Sequence, residues 1–186
     1  MSNKINSVIN KLNFRMAGVK FNDTWKIYGR IYIINEGQIQ IGNNFSANSG
    51  KNANPIGGDT SLRLIVRKNG NLKIGKHVGI SNSTIVCKNQ IEIGDFVLIG
   101  GGCKIWDTDF HSLGSMERMH KGDSKVKSTP ISIGNYAFIG GSSTILKGVT
   151  IGSHSIVATG SVVTKNIPDN EIWGGNPARF IKTLNN

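Results

Sequence analysis

The sequence predicts an all-β solenoid, and three observations support this fold class. Glycine is abundant, with 24 residues, proline is scarce, with four, and aromatic residues make up only 7% of the chain. Helix interiors disfavour so much glycine, whereas many short strands joined by tight turns accommodate it. An apolar-x-Ile-Gly segment also recurs five times, and a six-residue period runs inside it. Together these features favour stacked short strands over a helical bundle.

The recurring segment gives the length of one coil. It occurs at residues 39–42, 72–75, 91–94, 131–134 and 149–152. Its isoleucines lie 19 residues apart at Ile74 and Ile93, and 18 residues apart at Ile133 and Ile151. A spacing of this size equals three six-residue repeats, and such internal periods are typical of architectures in which each unit packs on its neighbours.

The six-residue period predicts vertical stacks of aliphatic side chains. Every sixth residue from 133 onward is aliphatic and β-branched: Ile133, Ile139, Ile145, Ile151, Val157 and Val163. Four positions after each of the first five stands a small or modest side chain: Ala137, Ser143, Val149, Ser155 and Ser161. Neither an α-helix nor an alternating sheet has this period. A triangular coil of three short strands has it, with aliphatic residues pointing inward, small residues near the corners and glycine easing each bend.

The chain divides into one solenoid domain and two end segments. We expect a helical capping segment at 1–30, the solenoid at 31–165, and a tail at 166–186 that leaves the coil at Pro168. Residues 43–71 keep the repeat poorly and predict loops between irregular early coils.

The first segment carries apolar residues at helical spacing, namely Ile5, Val8, Ile9, Leu12 and Met16. We predict that this helix caps the open end of the repeat array; the alternative is a helix lying on an anionic membrane.

One excursion, at about 107–130, interrupts the repeat. Ile93 and Ile133 lie 40 residues apart, four more than two 18-residue coils. The expected repeat positions are replaced by polar and charged residues: Asp107, Asp109, His111, Glu117, Arg118, His120, Lys121 and Asp123. An excursion that carries such residues off a rigid scaffold is a common location for function. The sequence therefore places the candidate site here.

Charge and cysteine content narrow the function classes. A net charge of +11 attracts polyanions, but the basic residues are spread out and no nucleic-acid module is present, so we expect a phosphate-bearing small ligand and no nucleic acid. Cys87 and Cys103 show neither a disulfide framework nor metal-ligand spacing, which predicts buried thiols and no metal site. No signal-peptide pattern and no apolar run near ~20 residues occurs. We expect a cytoplasmic protein, with the inner face of the membrane as the alternative.

His111 is the candidate catalytic residue among the four histidines. His77 and His154 come three residues after a repeat isoleucine and are expected on the surface, as is His120. His111 instead comes one hexapeptide after Ile105, where a coil would place an aliphatic residue. A neighbouring carboxylate can hold an imidazole in one tautomer and leave its other nitrogen free to take a proton. We predict His111 as a general base assisted by Asp109; a structural histidine bonded to a carbonyl is the alternative.

The same segment resembles a known enzyme family. IWDTDFHSL at 105–113, followed by a clean repeat, is similar to the hexapeptide-repeat sugar O-acetyltransferases, which include galactoside, maltose, capsule and exopolysaccharide enzymes. The runs GSVVTKNIP at 160–168 and WGGNPAR at 173–179 are also typical of that family. The resemblance covers roughly residues 30–182. It implies a left-handed parallel β-helix and a homotrimer with each active site between two subunits.

The resemblance also implies a reaction and roles for residues. An acetyl group would pass from acetyl-CoA to a sugar hydroxyl, in surface polysaccharide synthesis. His111 would take the hydroxyl proton while a backbone N–H near Gly141 stabilises the oxyanion. Trp106 and Asp107 would contact the acceptor, with Trp106 stacking on a sugar; a packing role is the alternative for Trp106. The implied acetyl-CoA site consists of Gly141 and Thr159 along the pantetheine arm, Thr164 and Lys165 at the phosphates, and Arg179 and Lys182 near the 3′-phosphate or adenine.

Departures from the family pattern leave alternatives for the acceptor. The acidic residue that galactoside enzymes use for the sugar falls at Lys88, and the acceptor asparagine falls at Ile80. These departures argue against a simple galactoside and favour a glycan or lipid-linked sugar, with peripheral membrane association as a possible consequence. Two other functions are considered: N-acetylation of an amino sugar, and a non-catalytic or metal-binding solenoid. His77, His111 and His154 do not share the spacing that a three-histidine metal site requires.

Overall fold

A computed structural model describes residues 2–22, 24–51, 53–119 and 125–185. Its two helices are α1 (Ser2–Met16) and α2 (Ser115–Met119). Three sheets form the rest of the regular structure. Sheet 1 contains β1 (Lys20–Phe21), β4 (Gln38–Ile41), β7 (Asn71–Ile74), β10 (Gln90–Ile93), β13 (Ile131–Ile133) and β16 (Thr150–Ile151).

The other two sheets are built in the same way. Sheet 2 contains β2 (Trp25–Gly29), β5 (Phe45–Ser49), β8 (Gly79–Ser81), β11 (Leu98–Ile99), β14 (Phe138–Ile139), β17 (Ile156–Val157), β19 (Glu171–Gly175) and β20 (Ala178–Thr183). Sheet 3 contains β3 (Tyr32–Asn35), β6 (Arg63–Val66), β9 (Thr84–Cys87), β12 (Lys104–Trp106), β15 (Thr144–Ile145) and β18 (Val162–Val163).

Successive strands visit sheets 1, 2 and 3 in turn, so the chain winds into a three-sided prism. Each strand pairs in parallel with its equivalents one coil away, and the hairpin β19–β20 is antiparallel. One stack of completely buried side chains on sheet 3 shows the register: Leu64, Ile85, Ile105, Ile145 and Val163. The predicted solenoid of inward-pointing, six-spaced aliphatic residues is confirmed.

The small residues predicted near the corners are also buried. Ser143, Ser155 and Ser161 are completely buried. Their hydroxyls donate to backbone carbonyls: Ser143 and Ser161 to Ala158 O at 3.1 and 2.6 Å, and Ser155 to Pro168 O at 2.6 Å. A buried hydroxyl is costly only when it lacks a partner. The serines therefore fill narrow corners without an electrostatic penalty.

We call the prism edge between sheets 1 and 2 the aromatic edge. In six coils, one residue at this edge has a left-handed backbone conformation. These residues have φ between 56° and 60°, an uncommon conformation outside glycine: Asn44, His77, Phe96, Tyr136, His154 and Asn170. Four consecutive rings stack in parallel, with centroids 4.6–4.8 Å apart. His77 and His154 are exposed, as predicted, and they form the two ends of this ring stack.

Helix α1 covers the open end of the first coil. Phe14 is completely buried, with its ring 5.2 Å from Phe21 and 4.8 Å from Trp25. The buried Asn10 side chain donates to Gly29 O at 2.8 Å and accepts from Ile31 N at 3.1 Å. The helix therefore lies over this end of the array, and Asn10 and Phe14 form the face that docks. Within the described residues, no helix is long and apolar enough to cross a membrane.

The coil extends beyond the boundaries expected from the repeat. It already begins at β1, because Lys20 and Phe21 pair with Gln40 and Ile41 although they lack the repeat signature. At the other end, Ile167 bridges Ile151, and β19 pairs in parallel with β17. The chain therefore continues past Pro168 for another partial coil. Within 43–71, β5 and β6 are regular strands, and the loops lie mainly between them.

The stack on sheet 3 generates a stability prediction. Replacing Ile105 with alanine opens a cavity between Ile85 and Ile145, so we expect the free energy of unfolding to fall by about 2–5 kcal/mol. Urea denaturation followed by circular dichroism measures the change. The matched control is Lys104→Ala, one residue earlier on the exposed face of β12, where we expect a much smaller loss. Equal losses in the two variants would contradict the proposed core stack.

Candidate functional site

The excursion leaves and re-enters the prism at one point, directly after β12. Segments 107–109 and 127–129 run alongside each other there. They are joined by hydrogen bonds from Asp109 N to Lys127 O (3.0 Å) and from Thr129 N to Asp107 O (2.9 Å), and by an antiparallel bridge between Thr108 and Ser128. We call the prism edge between sheets 3 and 1, from which this excursion departs, the loop edge. Because hydrogen bonds join the two segments at its base, the excursion can hold a side chain in a defined position.

Asp107 is a structural residue at the base of the excursion. It is completely buried, and its two carboxylate oxygens accept hydrogen bonds from Lys88 N and Asn89 N, both at 2.7 Å. These bonds fasten the excursion to the turn of the preceding coil. A carboxylate that is buried and occupied in this way does not face an acceptor. The placement therefore does not support the expectation that Asp107 binds substrate.

Asp109 links the excursion to the following coil. Its Oδ1 lies 2.9 Å from Nζ of Lys147, which comes shortly after β15, and both side chains are largely shielded from solvent. An ion pair that is partly shielded is stronger than a fully exposed one, because water screens it less. Asp109 thus has a cationic partner. Any effect of its charge on His111 acts alongside this pair.

His111 is exposed just beyond the base of the excursion. The preceding Phe110 has a φ of 61°, and its ring centroid lies 5.9 Å from that of the half-buried Trp106. On the other side, Arg118 of α2 donates to Ser112 O at 3.0 Å. Contacts on both sides thus shape the backbone that presents the imidazole. His120, Lys121 and Asp123 lie outside the described residues.

A second feature lies at the edge between sheets 2 and 3, which we call the glycine edge. Gly101, Gly141 and Thr159 occupy equivalent positions there in successive coils, just after β11, β14 and β17. In the described part of the chain, none of their backbone N–H groups has a hydrogen-bond acceptor. On the aromatic edge, three of the five described equivalent amides are occupied by side chains of the next coil: Lys76 N by Asp95, Asp95 N by Asn135, and Ser153 N by Asp169. The amides of Asn43 and Asn135 have no acceptor in the described part of the chain.

Because the chain itself does not use the N–H groups of Gly141 and Thr159, they are available to hydrogen-bond acceptors of a ligand or of solvent. Gly141 and Thr159, predicted to contact the pantetheine arm, are therefore brought together one coil apart. A Cβ on Gly141 would lie 3.0 Å from Gly101 O, so a larger residue would crowd this edge.

The loop at residues 50–60 closes one end of the glycine edge. The buried side chain of Asn82 holds this loop, donating to Gly58 O at 2.9 Å and accepting from Gly50 N at 3.0 Å. A Cβ on Gly101 would lie 2.6 Å from Gly57 Cα, so the two backbones approach as closely as glycine allows. Gly101 is buried as a result, whereas Gly141 is half-buried. The accessible part of the edge therefore begins at Gly141.

This closure could not be predicted from the sequence, because residues 50–60 show only the composition of a loop. The available signals were the paired glycines Gly57 and Gly58 and the asparagine at 82, a corner position that Gly102 and Gly160 occupy in other coils. Neither signal reveals which edge the loop covers.

The C-terminal hairpin extends the glycine edge at its open end. The parallel register of β19 with β17 places Gly174 below Ala158, and Ala158 N donates to Trp173 O at 2.8 Å. Across the hairpin, Arg179 pairs with Gly174 and Lys182 pairs with Ile172. Both cations are exposed. Arg179 thus lies beside the edge, and Lys182 lies further along the hairpin.

Thr164 and Lys165 lie elsewhere, although the predictions group them with Gly141. They directly follow β18 and are exposed at the loop edge, on the same side as His111 and Lys147. The predicted site residues therefore form two groups on either side of sheet 3. Within one chain, the imidazole and the Gly141 N–H do not lie on the same edge. Among the described residues, no group of three His, Cys, Asp or Glu side chains could hold a metal ion.

Comparisons with known proteins agree with the fold. Residues 130–165 match the family model described as bacterial transferase hexapeptide (six repeats). The chain is 38% identical over 119 residues to galactoside O-acetyltransferase of Escherichia coli (strain K12). This alignment covers 62% of the chain and 55% of the relative, so the chain spans about half the length of that curated protein.

Solved structures show the same architecture. A hexapeptide-repeat acetyltransferase from Vibrio cholerae O1 biovar eltor, complexed with acetyl coenzyme A, is 36% identical with a TM-score of 0.57, covering 62% of this chain and 61% of that one. An N-acyltransferase from Bacillus cereus, in complex with dTDP and 3-hydroxybutyryl-CoA, has a TM-score of 0.74 at 23% identity, covering 94% of this chain and 88% of that one. The second similarity shows the fold alone.

The hexapeptide repeat is matched over residues 130–165, and the chain has a left-handed parallel β-helix fold. It is homologous to galactoside O-acetyltransferase and to hexapeptide-repeat acetyltransferases. The predicted fold class and the family resemblance are both confirmed.

The two cysteines behave as buried apolar groups. Burial, and secondarily the charge of Asp107, raises the pKa of the Cys87 thiol from 9.0 to about 12. Burial also raises the pKa of the Cys103 thiol. A thiol that stays protonated is a poor nucleophile. The structure thus confirms the predicted buried thiols and gives them no role as nucleophiles.

This shift predicts how the cysteines react and how stability depends on alkaline pH. At pH 8 we expect both thiols to resist a disulfide reagent in the folded protein and to react rapidly in urea.

Because the folded pKa of Cys87 exceeds the unfolded one, its contribution to stability is complete below pH 9 and is lost as pH rises from about 9 to 12. Urea midpoints across that range measure the loss. It should be smaller in Cys87→Ala; an identical pH profile in this variant would contradict the assignment.

Proposed function

We propose that this protein is an acetyl-CoA-dependent acetyltransferase that acetylates a hydroxyl of a sugar or glycan intermediate in surface polysaccharide synthesis. The observation that carries the proposal is the glycine edge, where the backbone N–H groups of Gly141 and Thr159 have no acceptor in the described part of the chain. The exposed imidazole of His111 supplies a base. Homology to sugar and hexapeptide-repeat acetyltransferases supports the same reaction class. We expect the reaction to take place in the cytoplasm, where acetyl-CoA is available.

The donor fits the glycine edge by chemistry. The pantetheine arm carries amide carbonyls, which can accept from the N–H groups of Gly141 and Thr159. Arg179 and Lys182 on the hairpin provide positive charge for the 3′-phosphate, in line with the net charge of +11. Thr164 and Lys165, on the loop edge, would reach the phosphates of a donor held by a neighbouring copy.

The reaction needs no covalent enzyme intermediate. His111 takes the proton from the acceptor hydroxyl as its oxygen attacks the thioester carbonyl carbon. The resulting oxyanion accepts a hydrogen bond from Gly141 N–H, a contribution of about 3–4 kcal/mol in comparable sites. When the tetrahedral intermediate collapses, the carbon–sulfur bond breaks, and His111 returns its proton to the departing thiolate.

A trimer would bring the two groups of residues together. His111 and the Gly141 N–H lie on different edges of sheet 3, so one chain presents two half-sites. Placing the loop edge of one copy against the glycine edge of the next completes a site, and threefold symmetry repeats it without leaving an open end. A pocket shared between copies also provides the concavity that a single prism face lacks.

An amine acceptor is the alternative, because the same base and N–H would serve N-acetylation of an amino sugar. A pair of acceptors that share a skeleton but carry a hydroxyl or an amine at one position distinguishes the two reactions. Preferential acetylation of the hydroxyl sugar supports O-acetylation, and preference for the amine would overturn that part of the proposal.

His111→Ala should reduce turnover by about 100-fold or more, because general bases typically contribute ~10²–10⁴. Affinity for acetyl-CoA should stay close to that of the original chain, since the imidazole acts on the acceptor hydroxyl and none of the proposed donor contacts involves it. Steady-state kinetics and calorimetric titration with coenzyme A measure the two quantities. His77→Ala, which removes an exposed imidazole from the aromatic edge, is the matched control and should retain turnover. Undiminished turnover in His111→Ala would exclude the proposed base.

Arg179→Ala should raise the KM for acetyl-CoA by about tenfold or more, because hydrogen bonds to charged groups contribute about 1.5–3 kcal/mol. The sharper test compares acetyl-CoA with its 3′-dephospho analogue. The original chain should discriminate between them, and Arg179→Ala should lose most of that discrimination. Lys68→Ala, an exposed cation between β6 and β7, is the control. Unchanged discrimination in Arg179→Ala would place the 3′-phosphate elsewhere.

A further inference from the structure

Helix α1 docks through one face and leaves its apolar face outside. Asn10 and Phe14 are completely buried against the first coil. The apolar residues on the other side are exposed: Ile5 (50%), Val8 (60%), Leu12 (52%) and Met16 (79%). At 100° per residue these four side chains fall within an arc of about 80°, which makes a continuous stripe along the helix. We call these four residues the outer stripe.

The outer stripe continues onto the end of the prism. Met16 lines an open groove of about 450 Å³ together with Tyr32 and Ile34 of β3. Tyr32 is half exposed, and the guanidinium of Arg63 lies 5.7 Å from its ring centroid. The helix and β3 therefore present one apolar surface with an aromatic residue and a cation at its margin. Contiguous exposed apolar surfaces of this kind mark interaction sites.

The sequence around this surface is predominantly basic. Residues 2–22 contain no acidic residue. The first 35 residues hold six basic side chains and one acidic side chain, a net charge of +5 out of +11 for the chain. Arg15, beside the outer stripe, and Lys20, in β1, are both exposed. A partner for this end of the molecule must accommodate apolar side chains and positive charge together.

We propose that this surface binds an anionic lipid bilayer, with α1 lying in the plane of the interface. Helices with an apolar stripe and a basic flank insert their apolar face at the boundary of headgroups and acyl chains, and cations next to it add attraction to anionic lipid. A 15-residue helix is about 22 Å long, too short to span the hydrocarbon core. The helix therefore rests on the surface while its Asn10–Phe14 face keeps it attached to the prism.

A second copy of the chain fits this surface less well than a bilayer does. Contact between two outer stripes would bring the same basic flanks together, and like charges at short distance oppose association. A bilayer containing anionic lipid satisfies the stripe and the cations at once. This inference is independent of the proposed acetyl transfer, because it concerns the end of the prism and none of the residues assigned to that reaction.

Flotation of the full chain with lipid vesicles tests the proposal. Vesicles of phosphatidylcholine with about one third phosphatidylglycerol should carry the protein to the top of the gradient, and vesicles of phosphatidylcholine alone should carry much less. Raising the salt from about 0.1 M to about 0.5 M should weaken binding, because surface charges are screened. No flotation with the anionic vesicles would overturn the proposal.

Two pairs of variants separate the apolar and the charged contributions. Val8→Gln with Leu12→Gln should reduce the bound fraction by about fivefold or more, since both side chains would insert in the interface. Ile56→Gln, which changes an equally apolar side chain that is 78% exposed in loop 50–60, should bind like the original chain. Arg15→Gln with Lys20→Gln should reduce binding to anionic vesicles selectively, while Lys68→Gln should have a smaller effect.

The Val8→Gln, Leu12→Gln variant also tests the competing interpretation, in which the outer stripe is an interface between two copies of the chain. Sedimentation equilibrium gives the mass of the original chain and of the Val8→Gln, Leu12→Gln variant without lipid. A reduced mass in the variant, together with no vesicle binding by the original chain, would show that the outer stripe is an interface between copies and would overturn the lipid proposal. Unchanged mass with reduced vesicle binding supports it. Circular dichroism checks that the substitutions, all at exposed positions, leave the fold intact.

Discussion

Each coil of this protein is stable because the coils above and below cover its aliphatic side chains. An 18-residue turn of three short strands buries almost nothing by itself, and its interior isoleucines and valines lose contact with water only when they stack in register. The Leu64–Val163 stack on sheet 3 shows the result, with every side chain completely buried. Register is therefore the property that the rest of the molecule depends on, since a slip of one residue would turn the whole stack outward.

The interior repeats the same packing in every coil, whereas the three edges of the prism differ in their contacts and in the groups that they expose. The aromatic edge stacks its rings, and the side chains of Asp95, Asn135 and Asp169 accept hydrogen bonds from three of its backbone amides. The glycine edge leaves the equivalent amides without acceptors in the described part of the chain. The loop edge interrupts the repeat and fastens the excursion with the buried carboxylate of Asp107. One scaffold thus presents a structural edge, an edge suited to ligands and an edge that exposes a histidine.

The interior and the interruption could be predicted from the sequence because both depend on spacing. A six-residue period specifies which side chains point inward, and the failure of that period at 107–130 locates the excursion and His111. Other features depend on which atoms meet across coils that are distant in sequence. The use of Asp107 as an anchor, the pairing of Asp109 with Lys147 and the closure of the glycine edge by loop 50–60 have no periodic signal. The apolar spacing in α1 does not identify its docking face, because Asn10 satisfies backbone groups at Gly29 and Ile31 and a hydrophobicity pattern does not register that contribution.

The closed end of the glycine edge has a geometric consequence. Parallel strands repeat about every 4.8 Å, so the positions of Gly141, Thr159 and the hairpin descend in equal steps from the stop formed at Gly101. In the proposed complex, one end of the donor would contact the closed end of the edge at Gly101. The number of coils between Gly101 and Arg179 would then determine the distance along the prism at which the anionic end of the donor meets this arginine. Inserting or deleting one complete coil below Gly141 would therefore change the length of donor that fits between Gly101 and Arg179, while the packing within each coil would stay unchanged.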